Sequence, residues 1–165
     1  MKKYGIFYGS ATGTTAKIAD KIAKEIGVES CDIKDVKDSL PDEIGNYETV
    51  ILGTSTWGDG EMEEDWYDFL AGADVLSLKD KKIALFGCGD ETMSHTFCNG
   101  VGELYKRLQK TGATFIARFA TDGYDFSESS AVIDGTGVGL LLDEVNKPEL
   151  TDERVREWVE LIKNS

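Results

Sequence analysis

Residues 4–26 read Tyr4-Gly5-Ile6-Phe7-Tyr8-Gly9-Ser10-Ala11-Thr12-Gly13-Thr14-Thr15-Ala16-Lys17-Ile18-Ala19-Asp20-Lys21-Ile22-Ala23-Lys24-Glu25-Ile26. The run Tyr4–Tyr8 lacks the alternation of a half-exposed strand, as expected for a strand buried on both faces of a parallel sheet. Ile18, Ala19, Ile22, Ala23 and Ile26 share one helical face, with Lys17, Asp20, Lys21 and Lys24 on the other. Between strand and helix lies Gly9–Thr15, rich in hydroxyls and without a cation. Loop amides and a helix N-terminus aimed at one spot make an anion site. A Walker A loop needs a lysine before its Ser/Thr, and no Lys or Arg lies between residues 4 and 16. Gly9 and Gly13 do not supply the dinucleotide spacing G-x-G-x-x-G either. What remains suits a terminal phosphate monoester held by neutral donors. The plainer alternative is an ordinary strand-to-helix turn with Thr12 as the helix N-cap.

Outward from this unit the alternation repeats. Apolar runs at Val28–Ile33, Thr49–Thr54, Lys82–Cys88 and Thr114–Ala120 read as further strands. Helical patterns stand between and after them. One begins near Glu63 and turns Trp66, Phe69 and Leu70 inward. Another buries Val101, Leu104, Tyr105 and Leu108, with Lys106, Arg107 and Lys110 in its last turn and Gly112 beyond. The last opens at Thr151 as N-cap and buries Val155, Trp158, Val159 and Ile162. The order predicts an α/β, three-layer sandwich: a five-stranded parallel sheet in order 2-1-3-4-5 with helices on both faces. The polar loop Thr121–Gly137 precedes a second apolar run, Val138–Leu142. We read these as one edge strand interrupted by an insertion, and long insertions are often functional.

Bulk properties narrow the function. The 165 residues fit one domain, 1–165, and 41% hydrophobic with 30% charged residues is ordinary for a globular chain. No apolar stretch approaches the roughly 20 residues of a membrane span, and the start MKKYGIFYGS is too short in its apolar run for a signal peptide. A net charge of −13 repels nucleic acid and anionic membranes. It reads either as solubility or as a docking face for basic partners. Cys31, Cys88 and Cys98 are an odd set without metal-ligand spacing, which points to reduced thiols and a cytoplasmic protein.

Ligands of open α/β sheets bind at the carboxyl ends of the strands. Two further loops arise there: Ser55-Thr56-Trp57-Gly58-Asp59-Gly60 and Gly87-Cys88-Gly89-Asp90-Glu91. A tryptophan in a glycine-flanked loop tip is exposed unless something flat covers it. A phosphate loop, an aromatic tip and a second glycine loop together fit a phosphorylated aromatic cofactor. Over its whole length the chain resembles the long-chain flavodoxins. The match is carried by GSATGTT at 9–15, TSTWGDGEMEEDW at 54–66, LFGCGDE at 85–91, TDGYDF at 121–126, VGLLLDE and LTDERVREWV.

That resemblance implies a carrier that holds one FMN non-covalently and passes single electrons, rather than an enzyme. It implies Ser10, Ala11, Thr12, Gly13, Thr14 and Thr15 around the phosphate. Ser55, Thr56, Trp57, Gly58, Asp59 and Gly60 follow at the flavin, with Trp57 stacked on one face and Gly58–Asp59 beside N5. Backbone groups around Gly89–Asp90 belong to the pyrimidine edge, and Cys88, Met93, Thr96, Phe97 and Cys98 complete the set, the two cysteines as buried or rim thiols with small-hydrophobe roles. A flip of the Gly58–Asp59 peptide would offer a carbonyl to the N5 proton of the semiquinone, which a glycine at 58 makes easy. Asp59, Glu61, Glu63, Glu64, Asp65 and Asp68 would disfavour the second, anionic reduction step.

Two positions depart from the family pattern. Met93 stands where similar proteins carry a stacking tyrosine, leaving Met93 or His95 for the second flavin face. Val145 stands where an acid is common. The implied partners are basic-faced redox proteins such as a flavodoxin/ferredoxin-NADP reductase or a pyruvate oxidoreductase, met by a monomer. The rival reading is a flavin-dependent quinone reductase, which needs open room over the flavin. A receiver domain would need clustered aspartates where Phe7, Tyr8 and Gly9 stand. A serine hydrolase would need the closing glycine that Ser55 lacks.

Overall fold

The computed structural model describes residues 1–57, 60–73, 78–93 and 95–165. In chain order these form β1 (Lys2–Gly9), α1 (Thr14–Ile26), β2 (Ile33–Asp35), β3 (Tyr47–Trp57), β4 (Glu61–Met62), α2 (Asp65–Ala73), β5 (Lys82–Cys88), α3 (Asn99–Leu108), β6 (Thr114–Phe115), β7 (Phe119–Ala120), β8 (Val132–Ile133), β9 (Thr136–Gly137), β10 (Leu140–Leu142) and α4 (Thr151–Lys163). The central sheet runs β10-β5-β3-β1-β2 with every one of these pairings parallel. This is the expected 2-1-3-4-5 order, with β5 as the fourth strand and β10 at the edge.

Period-two alternation explains the layers. Phe7, Leu52, Leu85 and Leu141 face α2 and α3, packing with Trp66, Phe69, Val101 and Leu104. Their neighbours Ile6, Ile51, Ala84 and Leu140 face α1 and α4, packing with Ile18, Ile22, Val155, Trp158 and Ile162. Both faces of β1, β3, β5 and β10 are therefore apolar, and these strands read as continuous runs. Truncating a fully buried side chain such as Ile51 to alanine would cost about 2–5 kcal/mol.

Three local expectations are corrected. The second strand begins at Ile33, not Val28, because the Val28 and Gly27 amides both donate to the Ala23 carbonyl, at 2.9 and 2.8 Å. Gly27 is left-handed (φ 84°), so this segment caps α1. The run Thr114–Ala120 is not one strand. Thr114–Phe115 pairs with the start of β5 and Leu140–Leu142 with its end, so the edge strand is interrupted as expected. Between them Ala117 turns left-handed (φ 57°) and its carbonyl accepts from Trp158 Nε1 at 2.7 Å. That turns the chain off the sheet, and β7 pairs instead with β9, itself paired to β8, in a small antiparallel sheet. Finally, Thr151 lies inside α4 rather than capping it. A 3₁₀ turn, Pro148–Leu150, leads in, and the Thr151 hydroxyl bonds the Glu144 carboxylate.

Candidate cofactor site at the carboxyl ends of the strands

Register brings the predicted loops together. Gly9 is paired with Thr54, Ser55 with Cys88, and Cys88 with Leu142. Four strands therefore end in one row. The loops after Gly9, Trp57, Cys88 and Leu142 all leave from that edge.

The first loop is built to present donors. Ser10 Oγ accepts from the Gly13 amide at 3.0 Å, and Gly13 is left-handed (φ 92°), which turns the chain into α1. Gly13 therefore occupies the cap position in place of Thr12. No acid lies in the first turn of α1, so its amides carry an uncompensated positive end. Thr15 is fully buried, and its hydroxyl lies beside the weakly hydrogen-bonding Cys88 thiol without a hydrogen bond of ordinary geometry. A buried hydroxyl without a partner costs free energy, on the order of 1–3 kcal/mol, unless a ligand satisfies it. Ala11 and Thr12 are exposed, and Ser10, Gly13 and Thr14 half-buried. Gly9 must be glycine, because a Cβ there would lie 2.7 Å from both Glu63 Oε2 and Trp66 Cδ1.

The second arm is the hairpin of β3 and β4, in which Trp57 faces Glu61. Gly60 closes it with φ 110°, its amide donating to the Trp57 carbonyl at 3.0 Å. Trp57 is 42% exposed, whereas Trp66 and Trp158 are fully buried. The Trp57 indole N–H donates to Ser55 Oγ at 2.7 Å, and Thr56 Oγ1 accepts from the Gly100 amide at 3.0 Å. Gly58 and Asp59, the expected N5 turn, lie outside the described residues. A 550 Å³ cavity opens beside this arm, lined by Ala11, Trp57, Glu61, Met62, Glu63, Glu64 and Tyr67.

The third arm follows β5. The Gly89 amide donates to the Leu142 carbonyl at 2.9 Å, Met93 to Asp90 at 2.9 Å and Thr96 to Met93 at 3.0 Å. Gly89 and Asp90 are half-buried, Met93 is 55% exposed and His95 is exposed. Phe97 and Cys98 lie in the core; Phe97 stacks on Phe126 at 5.0 Å and meets Tyr124 edge-on. Burial pushes the Cys88 thiol up to about 12 and the Cys98 thiol well above its ordinary value, so neither is a thiolate at neutral pH. These cysteines are small apolar side chains here.

The fourth arm, the turn after β10, entered the sequence reading only through Val145; its buried hydrogen-bond network did not. Asp143 is fully buried; its carboxylate accepts from the Glu91, Val145 and Asn146 amides and from Asn146 Nδ2, at 2.8–3.1 Å. Asn146 Nδ2 also reaches Asp90 at 2.7 Å, and Lys147 Nζ meets Glu91 at 2.9 Å. A lone lysine in an acidic loop was the available signal. Val145 is 69% exposed and makes no such contact with its side chain.

The expected acid run is divided. Glu61, Glu64 and Asp68 are exposed and Asp65 half-buried, but Glu63 is buried. The Glu63 carboxylate accepts from the Asp65 amide at 2.9 Å, and burial, with Asp65 and Asp35 nearby, raises its pKa.

The chain matches the flavodoxin family profile over residues 6–158. It is 40% identical to flavodoxin 1 of Azotobacter vinelandii over 98% of this chain and 96% of that one. It is 39% identical to the flavodoxin of Haemophilus influenzae, over 98% and 94% of the two chains. Among solved structures it is similar to Fusobacterium nucleatum flavodoxin bound to flavin mononucleotide, with a TM-score of 0.89 and 34% identity over 99% and 98% of the chains.

Proposed function

The chain belongs to the flavodoxin family, and from that premise we propose how its residues serve an FMN-based electron carrier. The observation that carries the reading is the buried Thr15 hydroxyl at the start of α1, which makes no hydrogen bond of ordinary geometry and has the Cys88 thiol beside it. Together with Ser10, Ala11, Thr12, Gly13 and Thr14 it supplies neutral donors that suit a phosphate monoester. Trp57 covers one ring face. Gly58–Asp59, outside the described residues, is assigned to N5 on the family resemblance alone. Backbone groups of Gly89 and Asp90, with Ser55, Thr56 and Gly60 nearby, take the ring's polar edge, and Met93 borders the outer face.

FMN, when bound, supplies the ability to gain and lose electrons one at a time. The protein's own part is to hold the ring in a water-poor cleft and to set the charge around it. Glu61, Glu64 and Asp68 make added negative charge on a bound ring costly. The chain is an electron-transfer protein and not a catalyst. No helix among the described residues is long and apolar enough to cross a membrane.

Its partners are redox proteins, and we infer that they present basic faces to the −13 chain. A flavodoxin/ferredoxin-NADP reductase and a pyruvate oxidoreductase fit that description. We take residues 1–165 as one FMN-binding domain, monomeric and cytoplasmic. Purified protein with an equivalent of FMN is expected to oxidise NADPH only when a reductase is added, and more slowly as salt screens the acidic face. Rapid NADPH oxidation without a reductase would favour a quinone reductase instead.

A further inference from the structure

Lys147 joins three segments that lie far apart in the chain. Its Nζ donates to the Gly123 carbonyl at 3.1 Å and meets Asp125 Oδ2 at 2.8 Å and Glu91 Oε2 at 2.9 Å. The Glu91 side chain is 4% exposed, and its other oxygen accepts from the Asp125 amide at 3.0 Å. The Glu91 amide in turn donates to buried Asp143 at 3.1 Å, and Asn146 ties Asp143 to Asp90 at 2.8 and 2.7 Å. Four carboxylates, those of Asp90, Glu91, Asp125 and Asp143, thus converge on one strand end. Among the described residues Lys147 forms ion pairs with two of them, Glu91 and Asp125. A stranded buried carboxylate is far more costly than a matched pair.

We propose that Lys147 is a positioning residue for flavin binding: its ion pair with Glu91 clamps the Cys88–Met93 loop onto the insertion and onto the exit of β10. This rests on the reading that Gly89 and Asp90 meet the flavin ring. Among the described residues Lys147, Glu91 and Asp125 make no hydrogen bond or ion pair with the phosphate loop or Trp57, so loss of the clamp is expected to act first on ring contacts. Riboflavin and FMN share the ring and differ in the phosphate, which separates the two arms of the site.

The test compares flavin titrations of wild type, Lys147→Gln, Lys147→Arg and the double variant Glu91→Gln/Lys147→Gln, well below each apoprotein's unfolding temperature. Lys147→Gln is expected to weaken FMN and riboflavin equally, by about tenfold, the scale of coupling between contacting charged groups. Lys147→Arg keeps the cation and is expected to bind both within about threefold of wild type. The double variant strands no buried charge, since Asp125 is 79% exposed and stays solvated, and it replaces the Lys147–Glu91 pair by two amides; it too should recover to within about threefold, a rescue measurable even if the single variant folds poorly. Unchanged flavin affinity in Lys147→Gln with only a lower unfolding temperature would overturn the proposal, leaving a structural role. So would a loss confined to FMN, or a double variant no better than the single one. A wild-type chain that bound neither flavin would instead overturn the FMN reading itself.

Discussion

Trp57 donates its indole N–H to the Ser55 hydroxyl across 2.7 Å, two residues back on the same strand. The bond holds a 42% exposed aromatic ring over the row of strand ends. Trp57 is therefore presented at modest entropic cost. As an exposed indole it should emit at longer wavelength than buried Trp66 and Trp158. FMN addition is expected to remove that long-wavelength component, and Trp57→Phe to remove it without FMN. Emission spectra of apoprotein and complex check this; a red component that persists in the complex would contradict stacking.

Thr15 separates stability from binding. Thr15→Val removes a buried hydroxyl that makes no hydrogen bond of ordinary geometry within the fold, so the apoprotein should be as stable as wild type or more so, by about 1 kcal/mol. FMN affinity should nevertheless fall while riboflavin affinity stays. Denaturant unfolding and the two flavin titrations check both halves. Equal losses for the two flavins would remove the phosphate from this loop.

Glu63 makes a pH prediction. Burial raises its folded pKa above the ordinary glutamate value, so its contribution to stability is fully present below the unfolded pKa and is lost as pH rises through the folded one. Glu63→Gln should therefore match wild type near pH 4 and be the more stable protein at neutral pH. Oppositely shifted groups such as Asp32 and Asp90, whose partners hold them below the ordinary carboxylate range, cancel in that comparison. Thermal melts of both proteins across the range decide it.

Most of the fold was legible because strands buried on both faces leave unbroken apolar runs and amphipathic helices leave a 3.6-residue stripe. Val28 failed because its amide serves a helix cap. Phe119 failed because a left-handed Ala117, invisible in an apolar run, turns the chain away. The proposed phosphate loop stood out in the sequence by its hydroxyls and missing cations. The Lys147 clamp was not, since Glu91, Gly123 and Asp125 meet Lys147 only after β5 and β10 pair.

Met93 offers a half-exposed thioether where a ring could lie. Aromatic stacking adds about 0.5–1.5 kcal/mol beyond burial and a sulfur–ring contact about 0.3–1.5 kcal/mol, so Met93→Tyr should tighten FMN by less than tenfold. An electron-rich ring over the flavin should also move the second reduction potential downward. A potential that rises or stays put would take Met93 off the ring face and leave it to His95 or solvent.

The most direct measurement is an anaerobic reductive titration of the FMN-loaded protein, followed by absorbance. A one-electron carrier with acids around its ring takes up its two electrons in separate steps. The second step lies at the more negative potential, and each 59 mV of separation is a tenfold factor. A single two-electron step, with no spectrum between oxidised and fully reduced flavin, would contradict that assignment.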